Sequence, residues 1–507
     1  MIEIKDTKNI LKSSNIILIG LVLFLFFYLY MTNPIITGDG HEYLGMTASF
    51  FNHLSPDLQE KDIALRNYVE NENGINFTSD YNYNGYYKSI SGSYYSWHFW
   101  IYPLINLPLF SLFHFLEMNE LRCFQITNSI LLIASLIAIL FCFKNDKQKI
   151  IMASFSAFSP ILLYVNWPHP EVFSYSFIVM AISFAIRKNY KISVLMSSIA
   201  SLQNPPIAIL TFYLIFIGWK EKKWNLKELL LLLFSSIIST LPYLFYYINY
   251  HTLSLITYTG VASNSYVSFD KILSLFFDLN FGMIVYTPVL VLLSISSLYL
   301  SIRKKDLRII SLFVVLILIA LICSTQRNWN AGMMYINRYT VYMIPIIILI
   351  TIYSIEYYSP NKLNTILFIG LIITASSTIF YLADNDAGNY IKFNDLSQIV
   401  LVIAPRYYNP PYEVFAERAL GGEYNYTEKL PIIYTYDGLP RKILTDYEHI
   451  HEFENFIKPQ YKDKIIENIK KSDIGYINSY EILWEFPLDQ KKPHVYCRKG
   501  LGLTQLN

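Results

Sequence analysis

The sequence predicts a polytopic α-helical membrane protein with about eleven transmembrane helices and a small outer α+β C-terminal domain. Of its 507 residues, 53% are apolar and only 15% are charged, which is too little charge for a soluble protein of this length. Apolar runs of helix length recur between residues 15 and 382, whereas 383–507 contains none that could span a bilayer. A net charge of +2 gives no indication of nucleic-acid binding.

The first apolar run, residues 15–31, follows three lysines and is not followed by a small-residue cleavage site. It is therefore interpreted as a retained anchor and not as a signal peptide. The four cysteines are scattered without the paired spacing of a zinc site or a disulfide framework.

Further apolar runs follow a polar stretch that extends to about residue 98. The segment 99–116 contains Pro103 and Pro108, which interrupt helical hydrogen bonding, so we expect it to lie at the outer interface without crossing. The remaining runs are expected to cross: 124–143, 150–166, 172–186, 192–202, 207–219, 228–249, 281–301, 309–323, 339–356 and 363–382.

Basic residues concentrate in four short connections, 144–149, 187–191, 220–227 and 303–308, and in the N-terminus. Positive charge marks the cytoplasmic side, so the sequence predicts a cytoplasmic N-terminus and an outer first loop at 34–122. We divide the chain into a transmembrane domain, 1–382, and an outer C-terminal domain, 383–507. Within the latter, 431–436 is predicted to be a strand and 459–471 a helix.

Under this topology the unusual polar motifs all lie on the outer side, which suggests a shared cavity there. Each motif also has a plain structural interpretation, as a helix cap, a turn or an anchor at the lipid headgroups. The polar residues concerned are Asp39, His41, Glu42, His169, Glu171, Gln203, Asn204, Arg327, Trp329, Asn330 and Arg338.

The order of these motifs resembles the GT-C superfamily of polyprenyl-phosphate-sugar-dependent glycosyltransferases over about residues 14–382. Asp39 and Glu42 resemble the acidic motif on the first outer loop of that superfamily, although Gly40 and His41 separate them here. Residues 94–98 with the following proline-containing segment are similar to its juxtamembrane helix. Three further stretches also resemble segments of its members: 119–122, 277–282 and 329–339.

The resemblance implies a bacterial inner-membrane enzyme with a periplasmic C-terminal domain. It would move a sugar from a polyprenyl-phosphate carrier to an acceptor hydroxyl on the outer face, with inversion. The acceptor would be a glycan, a lipid or a protein, and we favour a lipid-linked or O-antigen-type surface polysaccharide. A hydroxyl needs a base, for which Asp39 is the candidate and Glu42 its neighbour. Arg338 would bind the departing phosphate, with Arg327 in reserve.

The remaining polar residues are candidates for binding substrate: His41, His169, Glu171, Gln203, Asn204, Trp329 and Asn330. The sequence requires no cofactor. His169 with two carboxylates could bind a divalent metal, but no spacing enforces this.

Two other functions remain open, a lipid or oligosaccharide transporter (flippase) and a protein O-glycosyltransferase. A transporter commonly shows internal repeats and ionisable residues in mid-span. The chain shows no convincing repeat, and its acidic groups lie at the ends of apolar runs. A surface-polysaccharide polymerase or ligase would usually place its large outer loop late in the membrane region, whereas here that loop follows the first run.

Overall fold

A computed structural model describes residues 3–75, 82–222, 226–330, 335–357, 360–384, 389–422, 430–483, 498–499 and 502–503. The chain is 70% helical, which confirms the predicted helical class. Among the described residues, three segments are long and apolar enough to cross a membrane: Arg122–Cys142, Leu226–Tyr250 and Leu363–Ala383. Shorter apolar helices accompany them, and a total of eleven crossings stays a prediction.

The helices are, in chain order, α1 (Glu3–Met31), α2 (Gly40–His53), α3 (Glu60–Glu72), α4 (Ile101–Phe115), α5 (Arg122–Cys142), α6 (Asp146–Ala157), α7 (Glu171–Ile186), α8 (Tyr190–Gln203), α9 (Ala208–Lys222), α10 (Leu226–Ile237), α11 (Leu241–Tyr250), α12 (Leu255–Tyr258), α13 (Phe269–Phe277), α14 (Met283–Tyr286), α15 (Pro288–Lys304), α16 (Leu307–Cys323), α17 (Arg338–Val341), α18 (Ile344–Ser354), α19 (Pro360–Asp384), α20 (Asp395–Ile403), α21 (Tyr412–Leu420) and α22 (Pro459–Ser472). The strands are β1 (Tyr86–Lys88), β2 (Tyr94–Ser96), β3 (Ile432–Tyr436), β4 (Leu439–Asp446), β5 (Ile474–Asn478), β6 (Arg498–Lys499) and β7 (Gly502–Leu503).

The chain forms two compact units. The first contains Met1–Val267, Tyr286–Arg327 and Arg338–Asn385. The second contains Ser268–Val285, Asn328–Asn337 and Asp386–Asn507. The C-terminal region thus shares its unit with two segments that come from between the apolar runs.

Two helix breaks in the first unit come from proline. The run 150–166 was expected to be one helix, but α6 ends at Ala157 and Pro160 begins a separate 3₁₀ turn. Proline has no N–H to continue the hydrogen-bond ladder, and Ser159 Oγ instead accepts from the Ile161 N–H. The break expected after Gln203 is present, since α8 ends there and Pro205 starts a short turn before α9.

Residues 94–98 and the proline-containing segment after them were expected to resemble a juxtamembrane helix. The proline-containing segment is helical, as α4, but residues 94–98 are not part of that helix. Strands β1 and β2 form an antiparallel hairpin in which Tyr86 pairs with Ser96. Tyrosine-rich segments suit a half-buried strand, and Gly92 supplies the positive φ of 91° that the connecting turn needs. The following helix, α4, begins only at Ile101.

A core of buried side chains joins the hairpin to α2, α3, α4 and α5 in the first unit. Its members include Tyr43 and Leu44 from α2, Tyr86 from β1, Phe110 from α4 and Phe124 from α5. This core fixes the start of α2 against the hairpin, which positions the candidate site described below.

The second unit is built on an antiparallel sheet with strand order β3-β4-β5. The predicted strand at 431–436 and helix at 459–471 are confirmed as β3 and α22. Neighbouring residues of β3 face opposite sides, so Ile432 packs in one core and Ile433 in another that includes Ile465 and Ile469 of α22.

Candidate functional site

Asp39 lies at the end of the loop that joins α1 to α2, in the first unit. Two bonds tie this loop to the segment before α7: the Ile35 N–H donates to the Asn166 carbonyl at 2.9 Å. The Trp167 indole donates to the Thr37 carbonyl at 3.0 Å. The local fold therefore holds Asp39 beside His169, which is 130 residues away in sequence.

Arg338, the first residue of α17, forms an ion pair with Asp39. Its Nη1 donates to Asp39 Oδ2 at 2.7 Å, although 299 residues separate the two in sequence. The side chain of Arg338 is 13% exposed and that of Asp39 24%, so the pair is partly shielded from water. Its attraction is stronger there than in an exposed salt bridge.

His169 lies next to both Arg338 and Asp39, with its Nε2 3.4 Å from Asp39 Oδ2. Its Nδ1 is hydrogen-bonded to the Glu171 carboxylate, and its Nε2 is 3.2 Å from Arg338 Nη1. If Nδ1–H donates to Glu171, the neutral ring presents the Nε2 lone pair to the guanidinium. Trp167 stacks on the His169 ring with centroids 3.9 Å apart and fixes its orientation.

Glu42 lies in the first turn of α2, only 5% exposed, and its carboxylate is held by the hairpin. Ser96 Oγ donates to Glu42 Oε2 at 2.7 Å, and the Trp97 indole donates to Oε1 at 3.2 Å. Gly85 leaves room for this carboxylate, because a Cβ there would lie 2.0 Å from Oε1, and its φ is +74°.

His98 joins the two carboxylates, and we did not anticipate it from the sequence. Its Nε2 is 3.2 Å from Asp39 Oδ2 and 3.9 Å from Glu42 Oε2. The ring stacks on Tyr43 with centroids 5.3 Å apart. The signal that could have found His98 is the pair of tyrosine-rich triplets, 86–88 and 94–96, which form the hairpin immediately before it.

These contacts make a chain of six ionisable side chains, which we call the ion chain: Glu171, His169, Arg338, Asp39, His98 and Glu42. Burial raises the pKa of Asp39, but the charges of Arg338 and His98 outweigh it and hold that pKa well below its usual range. Burial lowers the pKa of His98, and the charges of Asp39 and Glu42 overcome this and raise it. For Glu42, burial dominates and raises the pKa from 4.5 to about 7.

Three members of the ion chain have the chemistry of metal ligands. Ligand atoms of Asp39, Glu42 and His98 all lie within 4.8 Å of one another. Carboxylate and imidazole donors suit several divalent ions. Asp39 Oδ2 already has Arg338 Nη1 as a positive partner at 2.7 Å, so a cation bound there would have to lie beside a guanidinium. His169 and Glu171, the predicted metal candidates, are hydrogen-bonded to each other.

Four other predicted site residues of the first unit contact residues that are not members of the ion chain. Gln203 Nε2 donates to the Tyr43 hydroxyl at 3.3 Å, and Tyr43 in turn stacks on His98 of the ion chain. His41 points to α3, where its Nδ1 lies 2.8 Å from Glu70 Oε1. Asn204 donates to the Ser174 hydroxyl. Arg327 is exposed, and its backbone N–H donates to the Val261 carbonyl at 2.7 Å.

Trp329 and Asn330 belong to the second unit and have partners there. The Trp329 N–H donates to the Glu413 carboxylate at 2.7 Å, and Asn330 Nδ2 donates to the Tyr390 carbonyl at 2.6 Å. Residues 331–334 lie outside the described residues. The substrate-binding roles of Trp329 and Asn330 stay predictions.

The raised pKa of Glu42 predicts a specific pH dependence of stability. A carboxyl group whose pKa rises from 4.5 to about 7 on folding favours the folded state at low pH. This contribution is fully present below pH 4.5 and is lost as the pH rises through 7. Wild-type protein should therefore lose thermal stability relative to Glu42→Gln as the pH rises across this window. Thermal unfolding of the purified chain at a series of pH values measures this difference in stability, and Glu72→Gln, an exposed change, is the control. Parallel pH profiles for wild type and Glu42→Gln would contradict the raised pKa of Glu42.

No family model matches the sequence, and neither a curated protein nor a solved structure matches it. The chemistry of the chain's own residues is therefore the basis on which a function can be assigned.

Proposed function

We propose that the protein is a membrane glycosyltransferase of the GT-C type. It transfers a sugar from a polyprenyl-phosphate carrier to an acceptor hydroxyl, with inversion, at the outer face of the bacterial cytoplasmic membrane. The observation that carries this proposal is the contact between Asp39 and Arg338. It brings a carboxylate that can accept a proton next to a guanidinium that can bind phosphate.

The reaction needs both groups. As the acceptor oxygen bonds to the anomeric carbon, its proton passes to Asp39, because an uncharged hydroxyl is a weak nucleophile. The bond between the anomeric carbon and the phosphate oxygen breaks on the opposite side, and the phosphate leaves with increased negative charge. Arg338 stabilises that charge through parallel N–H bonds to two phosphate oxygens.

The ion pair also links donor binding to the strength of the base. While Arg338 holds Asp39, the carboxylate is a weak proton acceptor, since its pKa is well below the usual range. Arg338 Nε is buried and has no hydrogen-bond partner among the described residues, so the guanidinium retains a donor for a phosphate oxygen. A bound phosphate would compete for Arg338 and raise the basicity of Asp39 when the donor is in place.

An aromatic side chain beside the ion chain supports a sugar substrate. Trp97 is partly exposed next to Glu42, and aromatic faces commonly pack against sugar rings. The acceptor we propose is a lipid-linked or O-antigen-type surface polysaccharide. A protein hydroxyl is the alternative acceptor, with the same chemistry.

A proton-coupled transporter is the second candidate, and the ion chain itself favours it. Chains of carboxylate and histidine side chains are typical of proton pathways in membrane transporters. The two functions differ in what Asp39 does, because only the transferase needs it to form a covalent product.

Asp39→Asn should reduce sugar transfer by about 10²- to 10⁴-fold, the usual contribution of a positioned base. The same change frees Arg338 from its partner, so binding of a polyprenyl phosphate should become tighter. Both are measured on purified protein, by product formation from a polyprenyl-linked sugar and by equilibrium binding of the carrier phosphate. Asp57→Asn, on the same outer loop, is the matched control. A well-folded Asp39→Asn protein with normal transfer would exclude Asp39 as the base and favour the transporter.

Arg338→Ala should weaken use of the donor more than Arg338→Lys does, because lysine keeps the charge and loses only the two-point geometry. The Michaelis constant for the donor and the maximal rate, measured across donor concentrations, separate binding from stabilisation of the leaving group. Lys61→Ala, an exposed change on α3, controls for general loss of outer positive charge. Equal activity in wild type and Arg338→Ala would remove Arg338 from the reaction.

The proposal includes a topology of about eleven crossings with 34–122 and 383–507 outside. A cysteine introduced at Lys305 should then be protected from an impermeant thiol reagent in intact cells, and one at Lys61 should react. Both variants carry Cys497→Ser, because that cysteine lies in the predicted outer region, and the cysteines among the described residues, Cys123, Cys142 and Cys323, are buried. Labelling of position 305 from outside would overturn both the topology and the outer location of the site.

A further inference from the structure

A cavity of about 230 Å³ lies in the first unit, away from the residues of the ion chain. It is enclosed by the C-terminal end of α7, the start of α8, and parts of α9, α16 and α18. By the predicted topology, the connection between α7 and α8 and the end of α9 lie on the cytoplasmic side. The cavity is thus at the opposite end of the helices from the proposed active site.

The body of the cavity is hydrocarbon. Its lining consists mainly of aliphatic side chains, of which Leu210, Leu214, Leu312, Ile346 and Leu349 are buried. Water gains too few hydrogen bonds to occupy an apolar cavity, and an empty one forfeits the dispersion contacts of its walls. A flexible hydrocarbon chain supplies those contacts, and in a membrane the most abundant chains of this kind are the acyl chains of lipids.

The polar lining belongs to interfacial residue types. Tyr190, Tyr213 and Tyr353 line the cavity together with Lys188 and Glu221. Lys188 Nζ is 3.3 Å from Glu221 Oε2, and both side chains are well exposed, at 68% and 41%. Tyrosine hydroxyls and lysines commonly lie at the level of the lipid headgroups.

The two stretches of sequence that flank this polar end are strongly basic. The segments 187–191 and 220–228 contain seven lysines or arginines and two glutamates in the sequence. Such an excess attracts anionic headgroups of the cytoplasmic leaflet over zwitterionic ones. The aliphatic lining of the cavity therefore suits the acyl chain of an anionic lipid, and the basic residues at the polar end suit its headgroup.

We propose that this cavity binds one acyl chain of an anionic phospholipid from the cytoplasmic leaflet, with the headgroup phosphate at Lys188. The site is separate from the ion chain; it rests on the topology included in the proposed function but not on the sugar-transfer chemistry. The polyprenyl-phosphate donor is also an anionic lipid, so the test must distinguish the two.

The test is native mass spectrometry of the full-length chain released from nanodiscs that contain equal amounts of phosphatidylglycerol and phosphatidylcholine. We expect one retained phosphatidylglycerol per chain, about tenfold enriched over phosphatidylcholine. Leu214→Trp fills the cavity and should abolish retention. Phe216→Trp is the matched control, because it lies on the same helix, is 53% exposed and does not line the cavity. Retention by Leu214→Trp equal to that of Phe216→Trp would overturn the proposal.

A charge variant keeps the test valid if Leu214→Trp fails to fold. Lys188→Gln should reduce the preference for phosphatidylglycerol towards parity, whereas Lys144→Gln, an exposed change in another basic connection, should leave it intact. Equal retention of the two phospholipids by wild type would contradict the headgroup assignment. Because polyprenyl phosphate is also expected at Arg338, this competition uses the variant Arg338→Ala. Displacement of phosphatidylglycerol from that variant by added polyprenyl phosphate would identify the occupant as a carrier lipid and overturn the proposal.

Discussion

The ion pair between Asp39 and Arg338 is the interaction on which the candidate site depends. It joins the loop after α1 to the first residue of α17, two points 299 residues apart in sequence. Removing Arg338 would take the nearest positive charge from a partly buried carboxylate, which would then depend on His98 and His169, and such a loss is costly. The neighbouring groups extend this pairing: His169, bonded to Glu171, lies beside both partners, and His98 links Asp39 to Glu42.

The side chains that surround the ion chain explain how its charges are stabilised where little water reaches them. Asp39 and Glu42 each have more than one donor, and the imidazole rings are held by aromatic contacts: His169 by Trp167 and His98 by Tyr43. Gly85 gives Glu42 the space it occupies against the hairpin. A site whose side chains are fixed before substrate arrives needs little reorganisation during a reaction, and this favours catalysis by fixed charges.

The sequence predicts part of this arrangement, and its failures have physical reasons. Asp39, Glu42, His169, Glu171 and Arg338 could be selected because charged residues at the ends of apolar runs are costly without a purpose, and the structure places them in contact. His98 was missed because β1 and β2 have three residues each, too few for a periodic signal. The run 150–166 was taken as one helix because hydropathy does not register the break that Pro160 causes. Trp329 and Asn330 fall in the second unit because apolar runs say nothing about which distant segments pack together.

The central claim is that Arg338 exchanges Asp39 for the phosphate of a polyprenyl carrier. An experimental structure of the full chain with a bound polyprenyl phosphate tests it most directly. In that structure we expect phosphate oxygens within hydrogen-bond distance of the Arg338 guanidinium. We also expect the separation between Arg338 Nη1 and Asp39 Oδ2 to exceed the present 2.7 Å. A carrier phosphate bound elsewhere, with the Arg338–Asp39 pair intact, would contradict it.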